Sequence, residues 1–165
     1  MKQRAVQSTL RSPRLSLCSR VRAVRTACVG RPAITRRVIC TDGDPARAYP
    51  YSVGFADEIG SGRGFGYNIN HPLPLRADDD LFVSALSTAC EQIAAFGPAV
   101  LIVSLGLDTY ITDPISDLAV TTPGMRRSGE VVRQLGLPTI VLQEGGYDVS
   151  ALGANVAAWL TGLGA

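Results

Sequence analysis

Apolar positions recur with two periods along this chain. Phe82, Ala85, Leu86, Ala89, Ile93 and Phe96 return at steps of three and four, which predicts an amphipathic helix. Asp78-Asp79-Asp80 supplies an N-cap and negative charge at its start, and Gly97-Pro98 stops it. Ala99 to Gly106 and Leu137 to Gln143 are apolar at successive positions, the texture of strands covered by helices on both faces. Thr122-Pro123 reads as a cap followed by Pro at the first position of a helix that runs to Leu135 and ends at Gly136. Leu152, Val156, Trp159 and Leu160 give a last helix, Ser150 to Leu163, its buried stripe. Val38 to Thr41 predicts one more short strand, closed by Asp42-Gly43-Asp44-Pro45. Strand and helix alternate, so the expected class is α/β with a parallel sheet. Three strands are visible, fewer than a doubly wound sheet uses, so the sheet is expected to be cut short with one side open.

Charge divides the chain at about residue 37. Residues 1–37 carry Lys2, nine arginines and no acid; residues 38–165 carry six arginines against all fourteen acids, a balance of −8. The head has no steady period and is expected to be disordered, as a wrong start or reading frame would also produce. An Arg-rich, acid-poor mitochondrial presequence and a nucleic-acid-binding arm are the alternatives, although nucleic acid does not suit the acidic body. The cysteines at 18, 28, 40 and 90 form no Cys-x-x-Cys and have no histidine close by. They read as reduced thiols, which fits the cytoplasm better than a disulfide framework or a zinc knuckle. No apolar run approaches the roughly 20 residues that cross a bilayer.

Candidate chemistry gathers at two strand ends. Gln143-Glu144-Gly145-Gly146-Tyr147 follows one apolar run, and Leu107-Asp108-Thr109-Tyr110 follows the other. A Gly pair lets the backbone turn sharply and approach a ligand, and the carboxyl edge of a parallel sheet is where α/β proteins build sites. Asp108 could ligate a cation or cap a turn; Tyr147 could donate to an oxyanion or pack at the sheet edge. Glu144 reads as a structural acid before it reads as a general acid, and Asp113-Pro114 as a turn that shapes its loop before it reads as a ligand. His71, the only histidine, sits in Asn70-His71-Pro72-Leu73-Pro74, a polar turn. Gly60, Gly62, Gly64 and Gly66 alternate in a loop-rich stretch from Tyr49 to Pro74, but Phe65 and Tyr67 break the spacing of a phosphate cradle. A carboxylate pair of the glycosidase kind, Asp108 with Glu144, is a further reading.

An ordered series of motifs resembles the C-terminal half of the histone deacetylase superfamily, on the acetylpolyamine amidohydrolase side. Gly43-Asp44-Pro45 is followed by Tyr49-Pro50-Tyr51, Gly54-Phe55-Ala56-Asp57-Glu58-Ile59-Gly60 and Gly64-Phe65-Gly66-Tyr67-Asn68-Ile69-Asn70. Pro72-Leu73-Pro74, Ser104-Leu105-Gly106-Leu107-Asp108-Thr109, Asp113-Pro114-Ile115-Ser116, Glu144-Gly145-Gly146-Tyr147 and Leu152-Gly153-Ala154-Asn155-Val156 complete it. The resemblance covers residues 38–165 and implies a three-layer αβα fold of the arginase/deacetylase kind, truncated at its N-terminal half. It implies hydrolysis of an N-acetyl amide of a polyamine or lysine, a small-molecule or acetyl-lysine partner, and a homodimer as in polyamine-type relatives. Zinc in that family is held by two aspartates and a histidine, with two further histidines as base and acid. Asp108 resembles the second zinc aspartate and Tyr147 the tyrosine that hydrogen-bonds the acetyl carbonyl. No Asp or His stands upstream of Val38, and Asp42 replaces the histidine before Gly-Asp-Pro. The resemblance therefore implies a chain that holds zinc weakly and does not deacetylate alone. The alternative is a non-catalytic interaction or dimerisation module.

Overall fold

The computed structural model describes residues 20–24, 36–46, 54–115 and 117–165. Among these residues five strands, β1 (Arg20–Val24), β2 (Arg36–Gly43), β3 (Asn68–Leu73), β4 (Val100–Leu105) and β5 (Thr139–Gln143), form one sheet in the order β3-β2-β1-β4-β5. Among the described residues the α-helices are α1 (Asp79–Phe96), α2 (Thr122–Arg133) and α3 (Val149–Leu163), with one short 3-10 turn at Gly62–Gly64. Among the described residues, no helix is long and apolar enough to cross a membrane.

The helices form where the periodicity places them. Asp78 caps α1 by accepting from the Leu81 amide, and Gly97 closes it in the left-handed region at φ 63°. That conformation costs a side-chain-bearing residue energy and costs glycine little. The cap of α2 lies one residue earlier than expected: the Thr121 hydroxyl, not that of Thr122, accepts from the Gly124 amide, which makes Pro123 the second helical residue. Asp148 caps α3 by accepting from the Ser150 and Ala151 amides.

The parallel pairs β2–β3 and β4–β5 are the expected α/β texture. Two strands differ from the sequence reading. Arg20–Val24 falls in the basic head yet pairs antiparallel with both β2 and β4, at the centre of the sheet. The expected boundary at residue 37 is therefore not a boundary of the sheet; residues 1–19 and 25–35 of that head lie outside the described residues. Asn68–Leu73 is a strand rather than part of a loop. Pro72 conceals it, because proline lacks a ladder donor, but β3 is an edge strand, where that loss is tolerated.

The core lies on one face of the sheet. Leu101, Val103 and Leu105 of β4 pack with Phe82, Leu86, Ala89 and Ile93 of α1, Met125 and Val132 of α2, and Trp159 of α3. Val141 of β5, paired with Val103, joins the same face. Its neighbours Ile140 and Leu142 point the other way and are about half exposed. The tight seam of the helical layer runs between α2 and α3. A Cβ on Gly129 would collide with the Trp159 carbonyl, and one on Gly162 with the Arg126 carbonyl, so bare backbone at both positions permits the approach. Across the same seam the Thr122 hydroxyl donates to buried Asn155 Oδ1 at 2.7 Å.

Candidate functional site

The loops after β4 and β5 converge at the carboxyl ends of those parallel strands. Leu105 pairs with Gln143 in the last rung of the ladder, and the Glu144 amide donates to the Leu105 carbonyl at 2.9 Å. Asp108 and Tyr147 leave the sheet from neighbouring positions as a result. The Asp108 carboxylate lies against Gly145: a Cβ there would overlap both of its oxygens. Gly146, at φ 113°, sits against Leu107 and Leu152, and a Cβ would be crowded by both. The first glycine makes room for the carboxylate; the second permits the turn and seats the loop on α3.

Asp113 organises this loop from 34 residues away. Its Oδ2 accepts from the Tyr147 amide at 2.5 Å and the Asp148 amide at 3.1 Å. Its Oδ1 accepts from the Ile115 amide at 3.1 Å, closing its own turn. The side chain is buried, so its carboxylate directs its lone pairs at backbone donors. A second tie runs alongside, with the Thr112 hydroxyl donating to Asp148 Oδ2 at 2.5 Å. The Ser150 hydroxyl, and after it that of Thr112, holds the Asp148 carboxyl below the usual carboxylate range. The Asp113-Pro114 turn is legible in the sequence. That Asp113 also builds the Tyr147 loop is not, because nothing local links positions 113 and 147.

Asp108 is half-buried and Tyr147 is 46% exposed, so neither is lost in apolar packing. Glu144 is half-buried, and its amide rather than its carboxylate is what ties the loop to β4. Thr109 is buried beside a cavity of about 30 Å³ walled by Phe82, Leu86, Met125 and Trp159. His71 is not in a turn but in β3, half-buried, where its Nε2 meets Gln92 Oε1 of α1 at 2.9 Å. That contact pins the edge strand to the helix. Cys90 is buried in α1, and burial pushes its thiol up to about 11.

A catalytic zinc takes three protein ligands and leaves a position open. Among the described residues no group of three His, Cys, Asp or Glu side chains comes together. The described donor set around Asp108 does not fit a catalytic zinc by itself.

Comparison with known proteins gives a consistent result. A model of the histone deacetylase domain matches residues 37–163. Acetylpolyamine amidohydrolase 1 of Pseudomonas aeruginosa is 48% identical over 120 residues, 73% of this chain and 35% of that protein. The acetylpolyamine amidohydrolase of Burkholderia pseudomallei is 43% identical over 74% of this chain and 36% of its own length. The fold agrees: the crystal structure of acetylpolyamine aminohydrolase from Burkholderia pseudomallei superposes with a TM-score of 0.74 at 42% identity. That superposition covers 77% of this chain and 37% of the other. An HDAC homolog from Aquifex aeolicus superposes with a TM-score of 0.71 at 31% identity, over 76% of this chain and 34% of its own. The chain thus spans about a third of the length of the curated relatives it matches.

Proposed function

This chain belongs to the histone deacetylase family, and on that premise we propose that it carries part of the site of a hydrolase that splits N-acetyl amides of polyamines or lysine into acetate and amine. One observation carries the reading: the Asp108 carboxylate rests on Gly145, two residues before Tyr147, so an acid and a phenol leave one sheet edge together. Asp108 is assigned one place in a zinc ligand set. Tyr147 is assigned the hydrogen bond to the oxyanion that forms when the acetyl carbonyl is attacked. One such donor contributes about 2.7–4 kcal/mol to the transition state. Its half-exposed position suits a group that must reach a substrate entering from solvent.

The 165 residues by themselves are assigned weak zinc binding and no turnover, because the described ligand set stops short of the three that catalysis uses. Purified chain incubated with zinc and acetylputrescine tests this. The expected result is zinc well below one equivalent and no acetate release; stoichiometric zinc with acetate release would overturn it. The two relatives named as amidohydrolases of acetylpolyamine support that substrate over acetyl-lysine, and a parallel assay with an acetyl-lysine peptide separates the two. The expected compartment is the cytoplasm, which suits a free, buried Cys90.

A second reading, a non-catalytic interaction module, is favoured by the exposed apolar side chains of β5.

A further inference from the structure

Thr109 follows Asp108 directly and is 5% exposed. Among the described residues, its Oγ1 is a buried side-chain atom that meets no hydrogen-bond partner within the protein. A hydroxyl taken out of water without a partner is destabilising. Buried polar groups of folded proteins nearly always find a protein group or an ordered water. Thr109 lines the cavity of about 30 Å³ that lies between β4 and the three helices. A buried water needs roughly 10–15 Å³ on the same measure. Phe82, Leu86 and Trp159 give the cavity apolar walls, but two more hydroxyl residues line it, Ser104 of β4 and Ser128 of α2. Both serines are buried, at 4% and 2% exposure. The Ser128 hydroxyl donates to the Gly124 carbonyl at 2.8 Å, which commits its proton and leaves its oxygen to act as an acceptor. A purely apolar cavity stays dry, whereas one lined by several polar groups takes up water.

We infer that this cavity is a binding site for one buried water, held by Thr109, Ser104 and Ser128. The Thr109 hydroxyl donates to the water oxygen, and the two water protons go to the serine oxygens. Three hydrogen bonds are the usual complement of such a water. No charged side chain lines the cavity among the described residues, which selects a neutral occupant over an ion, and its size leaves no room for an organic ligand. The Thr109 carbonyl accepts from the Val120 amide at 3.3 Å, so the backbone there is tied to the loop before α2. The water adds a second tie, from the side chain to β4 and to α2 itself. It thereby anchors the segment that carries Asp108 to the helical layer. The inference uses the packing around Thr109 and not the activity proposed above.

The test uses the full 165-residue chain. A high-resolution crystal structure should show one ordered water within about 3.2 Å of Thr109 Oγ1. Thr109→Val keeps the shape and removes the donor, and its effect on stability has opposite signs in the two cases. Beside a dry cavity the change deletes an unpartnered hydroxyl and raises the folding equilibrium constant. With the water in place it breaks a hydrogen bond, and the constant should fall at least about fivefold in urea unfolding. Thr109→Ser retains the hydroxyl and should keep the ordered water. Ser128→Ala should also lower the constant. Thr109 and Ser128 then act through one shared molecule, so the double variant should fall by less than the product of the two single effects. Absence of an ordered water at Thr109, a folding constant that holds or rises in Thr109→Val, or single effects that simply multiply would each overturn the proposal. The water is sought in the unaltered chain, so that readout decides the matter even where a variant fails to fold.

Discussion

Asp113 Oδ2 accepts the Tyr147 backbone N–H at 2.5 Å and so joins two loops that are 34 residues apart in sequence. The bond fixes where the Gly-Gly-Tyr loop sits above the sheet. Asp113→Asn keeps the shape but replaces one acceptor oxygen with a donor. Both oxygens already receive backbone N–H groups, so either orientation of the amide sets donor against donor. The expected cost is about 1.5–3 kcal/mol, the range for hydrogen bonds to a charged group. A fall in the urea midpoint at unchanged slope checks it, and a shift under about 0.5 kcal/mol would show that the loop is held by other means.

Gly145→Ala should displace the Asp108 carboxylate, because the added methyl group needs the volume that carboxylate occupies. Over-filling a packed site costs about 1–3 kcal/mol. The Asp108 side-chain carboxyl carbon resonance is expected to move, and the Tyr147 amide with it. If both signals stay in place while stability is unchanged, the contact between carboxylate and glycine is not a constraint on the site.

Two helix glycines should respond in opposite directions to the same change. At Gly129 a methyl group meets the Trp159 carbonyl and the Leu163 amide, which are backbone atoms of α3 and cannot rotate away. Gly129→Ala should cost about 1–3 kcal/mol by prising α2 from α3. At Gly153, within α3, a Cβ would meet nothing within 4 Å, so Gly153→Ala should gain about 0.5–1 kcal/mol from helix propensity. Thermal unfolding of the two variants side by side decides the matter; a destabilising Gly153→Ala would contradict the packing described for α3.

Cys90 makes stability fall at alkaline pH. Burial raises its pKa from 9.0 to about 11, so the unfolded chain loses that proton first as pH rises. The folded state then binds more protons than the unfolded one, and stability declines between pH 9 and about 11, having been level with respect to this group below pH 9. A difference of about two units corresponds to about 3 kcal/mol. Cys90→Ala should remove that slope, seen as the difference between the two pH–stability curves. The same burial predicts that Cys90 reacts with a thiol reagent at about pH 8 only as fast as the chain opens; rapid labelling in native buffer would show the site to be accessible.

The amino-acid sequence by itself determined the helices of this protein, the strands β4 and β5, and the two strand ends that carry Asp108 and Tyr147. These rest on local signals: an apolar stripe at the helical period, an aspartate or threonine at the N-cap, glycine at the C-cap, and continuous apolar runs. Tertiary structure alone decided the sheet order, the antiparallel place of Arg20–Val24 between two parallel pairs, and the strand nature of Asn68–Leu73 despite Pro72. It also decided that Asp113 holds the Tyr147 loop, that Gly145 yields its space to Asp108, and that Ile140 and Leu142 face outward. Each of these depends on which residues meet across a long stretch of chain. Local preference reports the conformation of a segment, whereas a partner's distance, register and face are set only when the whole sheet has formed.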